Sequence, residues 1–573
     1  MSQLKRNKKS KSLKNSFHIF ISKLFCKYIT LFILVLLVLT YFPSSLWHFP
    51  DGIGYYSYLP AVFKYKNYDF YKIIKTYTPN IIGTTKSGFV INDFDIGCSI
   101  VWLPVYFLAS LFENEKISIL FTNFFSSLLG LGSLWIFLKF AKEKLKINKR
   151  ISFFICICVF LGTPLLFYSY AIPQNAHTTA AFLCSLFFIF WFNTINEFTF
   201  RRFLTLGILL GIISCVRLQR IILIIPIILE FILKIANRNL EVQKIKKYFL
   251  CLIVLITGFF VGFSPSLVNS KIIFSQLMIP KLYTISLNRF IISHIFEVLF
   301  SSYHSVILWT PLILLSILGL IRGLKYNFLI SLSLILVFLI ETFIISLVIS
   351  PGGGASFGIR YYTDLIFIFA MGLYFLFISK KYKFYFIVLS ILCSLWTFIL
   401  FILSLTNQID LLEVYSLKNF FINISTGFKN LNVTLKPRYI AEFEIYLFLL
   451  FILLVTKFSA SIFYNTILRL QNINLLCVSL VIYLIFFNYS LIKAGLFNRI
   501  TYKKEIFEES LILEDYQKFY ILAGINIRLK YYKTTNQTEK LNFYLSLKEK
   551  IKPKSYTGRK VILPLFYNYV DFS

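Results

Sequence analysis

Residues 117–150 read ISILFTNFFSSLLGLGSLWIFLKFAKEKLKINKR. The stretch Ile117–Phe140 is apolar for long enough to cross a bilayer core, which takes about 20 helical residues. It ends in a basic cluster, Lys139, Lys142, Lys144, Lys146, Lys149 and Arg150. An apolar run closed by a basic cluster is the pattern of a membrane helix whose end lies in the cytoplasm. This stretch sets both the fold class and the orientation of the chain.

The same pattern recurs in both directions. Of 573 residues, 58% are hydrophobic and 15% charged, against roughly a quarter charged in soluble proteins. Mean hydropathy is +0.74. No water-soluble core hides that much apolar surface. The composition excludes a soluble enzyme, a disordered chain and a disulfide-rich secreted module. The formal charge of +34 does not indicate a nucleic-acid partner, because the Lys and Arg residues sit mostly between apolar runs and in the tail, where lipid headgroups hold them. The nine Cys are scattered. Cys156 and Cys158, two apart on a helix, face different sides and read as packing.

The expected fold is an all-α polytopic membrane bundle of about 13 transmembrane helices. Residues 1–27 carry eight Lys or Arg and no acid, a basic cytoplasmic N-terminus. The first span is 28–44. It lacks a small-residue cleavage site and is read as uncleaved. A long external loop with juxtamembrane helices covers 45–116, including a helix over 96–112 that carries Pro104 and dips into the outer leaflet. The bundle proper is 117–494, with spans at 117–140, 151–170, 178–194, 203–217, 219–236, 248–268, 304–321, 327–349, 363–379, 384–405, 443–465 and 474–494. This arrangement places Arg201-Arg202, Lys244 to Lys247, Arg322 to Lys325 and Lys380 to Lys383 inside. Residues 495–573 form a soluble tail that the count puts outside, although it is basic.

Candidate chemistry gathers on the external side. Asp51 is the first acid of the chain, in WHFPDGIGYYSYLP, residues 47–60. A carboxylate at the membrane lip is costly; Gly52 and Gly54 permit close backbone approach to a ligand, and Tyr55 and Tyr56 suit the interface. Asp93 and Asp95 offer hard oxygen ligands for a divalent cation, or are a solvated loop. His177 and His304 fall on external turns, where each alone reads as interfacial. Arg217 and Arg220 sit between two short apolar runs, either snorkelling or clamping a phosphate. The run Gly352–Arg360 is a flexible external turn without the ending of a phosphate-binding P-loop. Gly258 and Gly262 are spaced for close helix packing. Ionisable groups gathered on one face of a membrane protein read as a site.

Several segments resemble GT-C superfamily membrane glycosyltransferases, most of all a poorly characterised bacterial branch. They are DGIGYYSYLPAVF from Asp51, GFVINDFDIGCSIVWLPVYFLA (88–109), GTPLLFYSYAIPQNAHT (162–178), GILLGIISCVRLQR (207–220), LFSSYHSVILWTP (299–311) and GGGASFGIRYYTDL (352–365). The resemblance runs in order over roughly 28–380. It implies inverting transfer of a hexose or pentose from a polyprenyl-phosphate donor to a glycan, lipid or protein acceptor. It places the site on the external or periplasmic face of the cytoplasmic membrane, in the service of the cell envelope. By position Asp51 is the general base. Arg217, Arg220, Arg360, His304, His177, Tyr55 and Tyr56 are expected around the donor phosphate or substrate. Many family members carry two neighbouring acids in this loop, whereas here Gly52 follows Asp51. No cofactor is required by the pattern; a divalent metal is left open, with Asp93 and Asp95 as its weak candidates. The rival readings are a transporter or flippase of a lipid-linked saccharide and a non-catalytic scaffold.

Overall fold

The computed structural model describes residues 50–66, 68, 70–77, 83–85, 89–92, 94–195, 197–236, 242–275, 277, 291–348, 356–378, 382–405, 408–411, 413–434, 473–497, 511–512, 522, 525–526, 528–530, 532–534, 536 and 538–550. The expected spans 28–44 and 443–465, the basic N-terminus, Asp93 and the glycines 352–354 lie outside the described residues.

The described chain is a helical bundle. Seven of its helices are long and apolar enough to cross a membrane: Glu115–Glu143, Ala176–Asn193, Lys246–Phe274, Phe328–Leu347, Arg360–Phe377, Lys383–Ser404 and Cys477–Ala494. Within the described residues the other expected spans are shorter or broken, and proline is a recurring cause. The run 151–170 divides at Thr163-Pro164 into Lys149–Gly162 and Leu165–Tyr170. The run 304–321 divides at Thr310-Pro311. A ring that blocks the preceding turn ends a helix even inside an apolar run. The run 219–236 starts as a 3-10 turn, Leu218–Ile224, before Ile225–Ile235. The dipping segment is the 14-residue helix Gly97–Ser110 with Pro104 inside it.

Helix starts are set by short polar side chains. Asn114, Asn148, Asn175 and Asn327 accept from backbone N–H groups at 3.0, 2.9, 2.7 and 3.1 Å. Each satisfies a donor that the first turn would leave bare. Phe200–Val216 packs along Val242–Phe274 through facing glycines. An added Cβ at Gly207 or Gly211 would stand 2.2 or 2.3 Å from the backbone of Leu255 or Phe259, and one at Gly258 or Gly262 2.6 or 2.3 Å from that of Leu204 or Ile208. The expected close packing at Gly258 and Gly262 is therefore present, with Gly207 and Gly211 as the mates. The outer face of the longer helix exposes Phe249, Ile253, Ile256 and Phe260 at helical spacing, an apolar stripe fit for lipid.

Two charged clusters mark the two ends of the Phe200–Val216 helix. At its start, buried Arg202 donates to Glu230 Oε2 at 2.6 Å and Trp191 Nε1 donates to the same oxygen at 3.1 Å. At its other end, about 22 Å away by helical rise, stand Arg217 and Arg220. The described tail belongs to this second end. Leu511–Ile512 pairs in parallel with Gly83–Thr84 of the first loop, and Arg528 and Tyr532 hold Glu297 on the helix Ile291–Phe300. The tail is thus packed against the membrane bundle, on the same side as the first loop.

Candidate functional site

The sequence places Asp51 in a loop; the structure starts a helix there, Pro50–Leu59, with Asp51 in its first turn. A carboxylate in that position is favoured by the helix dipole. Gly52 and Gly54 do not leave room for a ligand. A Cβ at Gly52 would fall 2.4 Å from Gln174 Cγ, and one at Gly54 1.9 Å from the Phe94 ring. Both glycines are there to admit neighbours from the same chain. Tyr55 and Tyr56 are likewise turned into the protein. Tyr56 donates to Glu115 Oε1 at 2.5 Å and Tyr55 packs edge-on to Phe94 at 5.1 Å.

Asp51 Oδ2 accepts from Arg360 Nη1 at 3.0 Å; the Arg360 side chain is 20% exposed and that of Asp51 35%. Arg360 opens the 3-10 turn Arg360–Leu365. Just ahead of it, Gly358 takes φ +58°, a backbone state that an L side chain strains to reach. The same turn carries Asp364, fully buried, on which three elements converge. His177 Nδ1 lies 2.8 Å from Asp364 Oδ1, and Nε of Arg217 and of Arg220 lie 3.1 and 3.0 Å from Oδ2. These last two are ion-pair distances without an N–H aimed at the oxygen. Arg217 Nη1 donates to His177 Nε2 at 3.1 Å. The same Nη1 lies 3.3 Å from Nδ1, so the guanidinium reaches both ring nitrogens while Nδ1 also faces the Asp364 carboxylate.

Arg220 continues inward, donating to Glu341 Oε1 at 2.5 Å and to the Tyr361 carbonyl at 3.3 Å. Glu341 is six residues from the end of the Phe328–Leu347 helix, so the network reaches about 9 Å down that helix. With its amide oxygen turned to the guanidiniums, Gln219 accepts from both arginines at 3.1 Å. The Tyr361 ring lies under both Arg217 (5.1 Å) and Arg360 (5.6 Å), a cation–π support. The Tyr168 ring lies tilted against His177 at 4.6 Å and is within electrostatic reach of Asp51 and Arg360.

Asp95 is buried, not solvated, and burial pushes its carboxyl up to about 8, only partly opposed by Arg217. Around it Arg217, Arg220 and Arg360 face the carboxyls of Asp51, Asp364 and Glu341. Only the Asp51–Arg360 end of this set reaches solvent.

Of the expected site residues, the structure gathers Asp51, His177, Arg217, Arg220 and Arg360. His304 has a different setting. It sits at φ +59° with Nε2 on the Leu411 carbonyl at 2.9 Å, between the rings of Tyr303 and Trp309. Among the described residues, no three His, Cys, Asp or Glu side chains converge as a metal site requires; Asp51 is engaged by Arg360 and Asp95 lies beside Arg217. The organising carboxylates, Asp364 and Glu341, were not singled out in the sequence. The available signal was their cost: an acid inside an apolar run needs a cation nearby. Comparison with protein-family models, curated proteins and solved structures finds no match.

Proposed function

We propose that the protein is a membrane glycosyltransferase of GT-C type that moves a sugar from a polyprenyl-phosphate donor to an acceptor hydroxyl at the outer face of the cytoplasmic membrane. The observation that carries this reading is the division of labour among the three arginines. Arg217 and Arg220 are buried and held by Asp364 and Glu341. Arg360 is partly exposed and reaches the partly exposed Asp51 carboxylate at the solvent end of the cluster. An arriving phosphate competes for Arg360 with the geometry that guanidinium favours. Asp51 is then released and free to accept a proton.

In this reading Asp51 takes the acceptor hydroxyl proton as the acceptor oxygen attacks the anomeric carbon. The bond from that carbon to the donor phosphate oxygen breaks, and its electron pair leaves on the phosphate, facing Arg360. His177, Arg217, Arg220, Asp364 and Glu341 do not touch substrate. They hold the Arg360–Leu365 turn in place. A lipid tail and a membrane-lip head suit a site that opens beside apolar helix faces.

A transporter of the same lipid-linked saccharide is the second reading. Two carboxylates within candidate spans, Glu341 and Asp364, favour it, since such groups often mark coupled transport. The test incubates purified protein in sealed vesicles with radiolabelled polyprenyl-phosphate sugars and an acceptor panel, comparing wild type with Asp51→Asn. Transfer by wild type and none by the variant supports the enzyme. Transfer by Asp51→Asn at the wild-type rate removes Asp51 as base, and transbilayer movement of the donor without transfer supports the transporter.

A further inference from the structure

We infer that the described residues of the tail between Leu522 and Leu547 form a docked strap that positions the Arg360 turn, so that its seating sets the geometry of the Asp51–Arg360 pair. The seat has an ionic and an apolar part. Glu297 Oε1 accepts from Tyr532 at 2.9 Å and faces Lys540 Nζ at 3.7 Å, while its other oxygen holds Arg528. Arg528, Glu297 and Tyr532 are all buried. Beside them Tyr303 and Val414 of the bundle form a small separate core with Ile525, Tyr532 and Tyr544. A carboxylate and a tyrosine of the membrane bundle are thus packed against this segment.

From Tyr303 an unbroken packed path runs to Arg360. The tilted rings of Tyr303 and His304 lie 4.1 Å apart, those of His304 and Trp309 4.9 Å apart, and Trp309 meets Phe357 edge-on at 5.4 Å. Trp309 Cβ also lies under Gly358, two residues before Arg360. Trp309 Nε1 donates to the Ser302 carbonyl at 3.0 Å, tying the start of the path to its middle. The bistable element is His304. Its left-handed backbone is uncommon for any residue but glycine, although His adopts it more readily than most, and its packed surroundings hold it there. Two of those surroundings are the Leu411 carbonyl and the Tyr303 ring, and the strap covers the second. Release of the strap lets His304 relax, moves Trp309, and frees Phe357 and the turn behind it. This supplies the two-state element that coupling over distance requires. It holds whether the bundle catalyses transfer or moves its ligand.

The test is hydrogen exchange on the full chain in lipid, comparing wild type with Arg528→Ala and, separately, Tyr544→Ala. The two variants attack the ionic and the apolar part of the seat. Each is expected to speed exchange of the strap, and also of Ser302–Trp309 and Phe357–Leu365, on the order of tenfold, while Glu115–Glu143 keeps its wild-type rate. The inference is overturned if the strap loosens and Phe357–Leu365 does not, if neither variant loosens the strap, or if Glu115–Glu143 speeds up to the same extent.

Discussion

Asp51 and Arg360, 309 positions apart in the chain, meet at 3.0 Å with both side chains partly open to solvent. A partly exposed pair of this kind contributes little to stability, typically under about 1 kcal/mol. Its value lies in what can replace one partner.

Arg360→Ala is therefore expected to leave the thermal midpoint within about 2 °C of wild type while raising the KM for a polyprenyl-phosphate sugar by about tenfold or more. Arg360→Lys keeps the charge and loses the fork, so it should fall between the two. Measured donor binding settles it: wild-type affinity in Arg360→Ala would remove Arg360 from the phosphate site.

Arg220 should behave in the opposite way. It is fully buried between Glu341 and Asp364, and removing one partner strands the others. Arg220→Met is expected to destabilise by about 3–5 kcal/mol, read as a loss of folded protein on heating in detergent. Adding Glu341→Leu removes a stranded carboxylate and should recover part of that loss. A double variant less stable than Arg220→Met alone would show that Glu341 has a further buried partner.

The contrast between these arginines explains what the sequence could and could not reveal. Lysine clusters fixed which ends of the apolar runs lie together, and that alone brought Asp51, His177, Arg217, Arg220 and Arg360 to one face. Their partners were harder to see. Glu341 and Arg220 are 121 residues apart, and a single acid in an apolar run gives no hint of which cation it meets. Asp364 closes the segment GGGASFGIRYYTDL, in which Arg360 a few residues earlier carries the more familiar chemistry. Among the described residues, fewer helices are long enough to cross a membrane than the apolar runs suggest, for a related reason. Hydropathy sums over Pro164 and Pro311 without registering that each one stops a helix. Gly52 and Gly54 were read as room for a ligand, but Gln174 and Phe94 occupy that room, and these partners are remote in sequence.

Asp95 gives a pH signature. Its buried carboxyl titrates at about 8 in the folded protein, against about 3.9 in an unfolded chain. Between those values the folded state holds a proton that the unfolded state has lost, so stability falls as pH rises, by up to about 1.4 kcal/mol per unit. The contribution is fully present below about pH 4 and gone above about pH 8. Asp95→Asn cannot ionise and should flatten this dependence. Thermal midpoints of the two proteins at pH 5, 7 and 8.5 decide the matter, and parallel profiles would mean that Asp95 is not the titrating group.

The glycine seam makes a prediction that depends on backbone geometry alone. At Gly207 and Gly211 the facing atoms are backbone atoms of Val242–Phe274 at 2.2 and 2.3 Å from an added Cβ, and backbone cannot swing aside. Either Gly→Ala change must push two long helices apart along their whole contact, which forfeits packing on both faces. At Gly132 the nearest atoms belong to the Phe182 ring at 3.2 Å, which can rotate. Gly207→Ala and Gly211→Ala should each destabilise by about 1–3 kcal/mol, whereas Gly132→Ala should fall within about 0.5 kcal/mol of wild type. Because the seam ends at Arg217, the first two should also weaken donor binding, and Gly132→Ala should not. Equal losses at all three positions would mean that glycine flexibility, and not helix approach, is what these sites require.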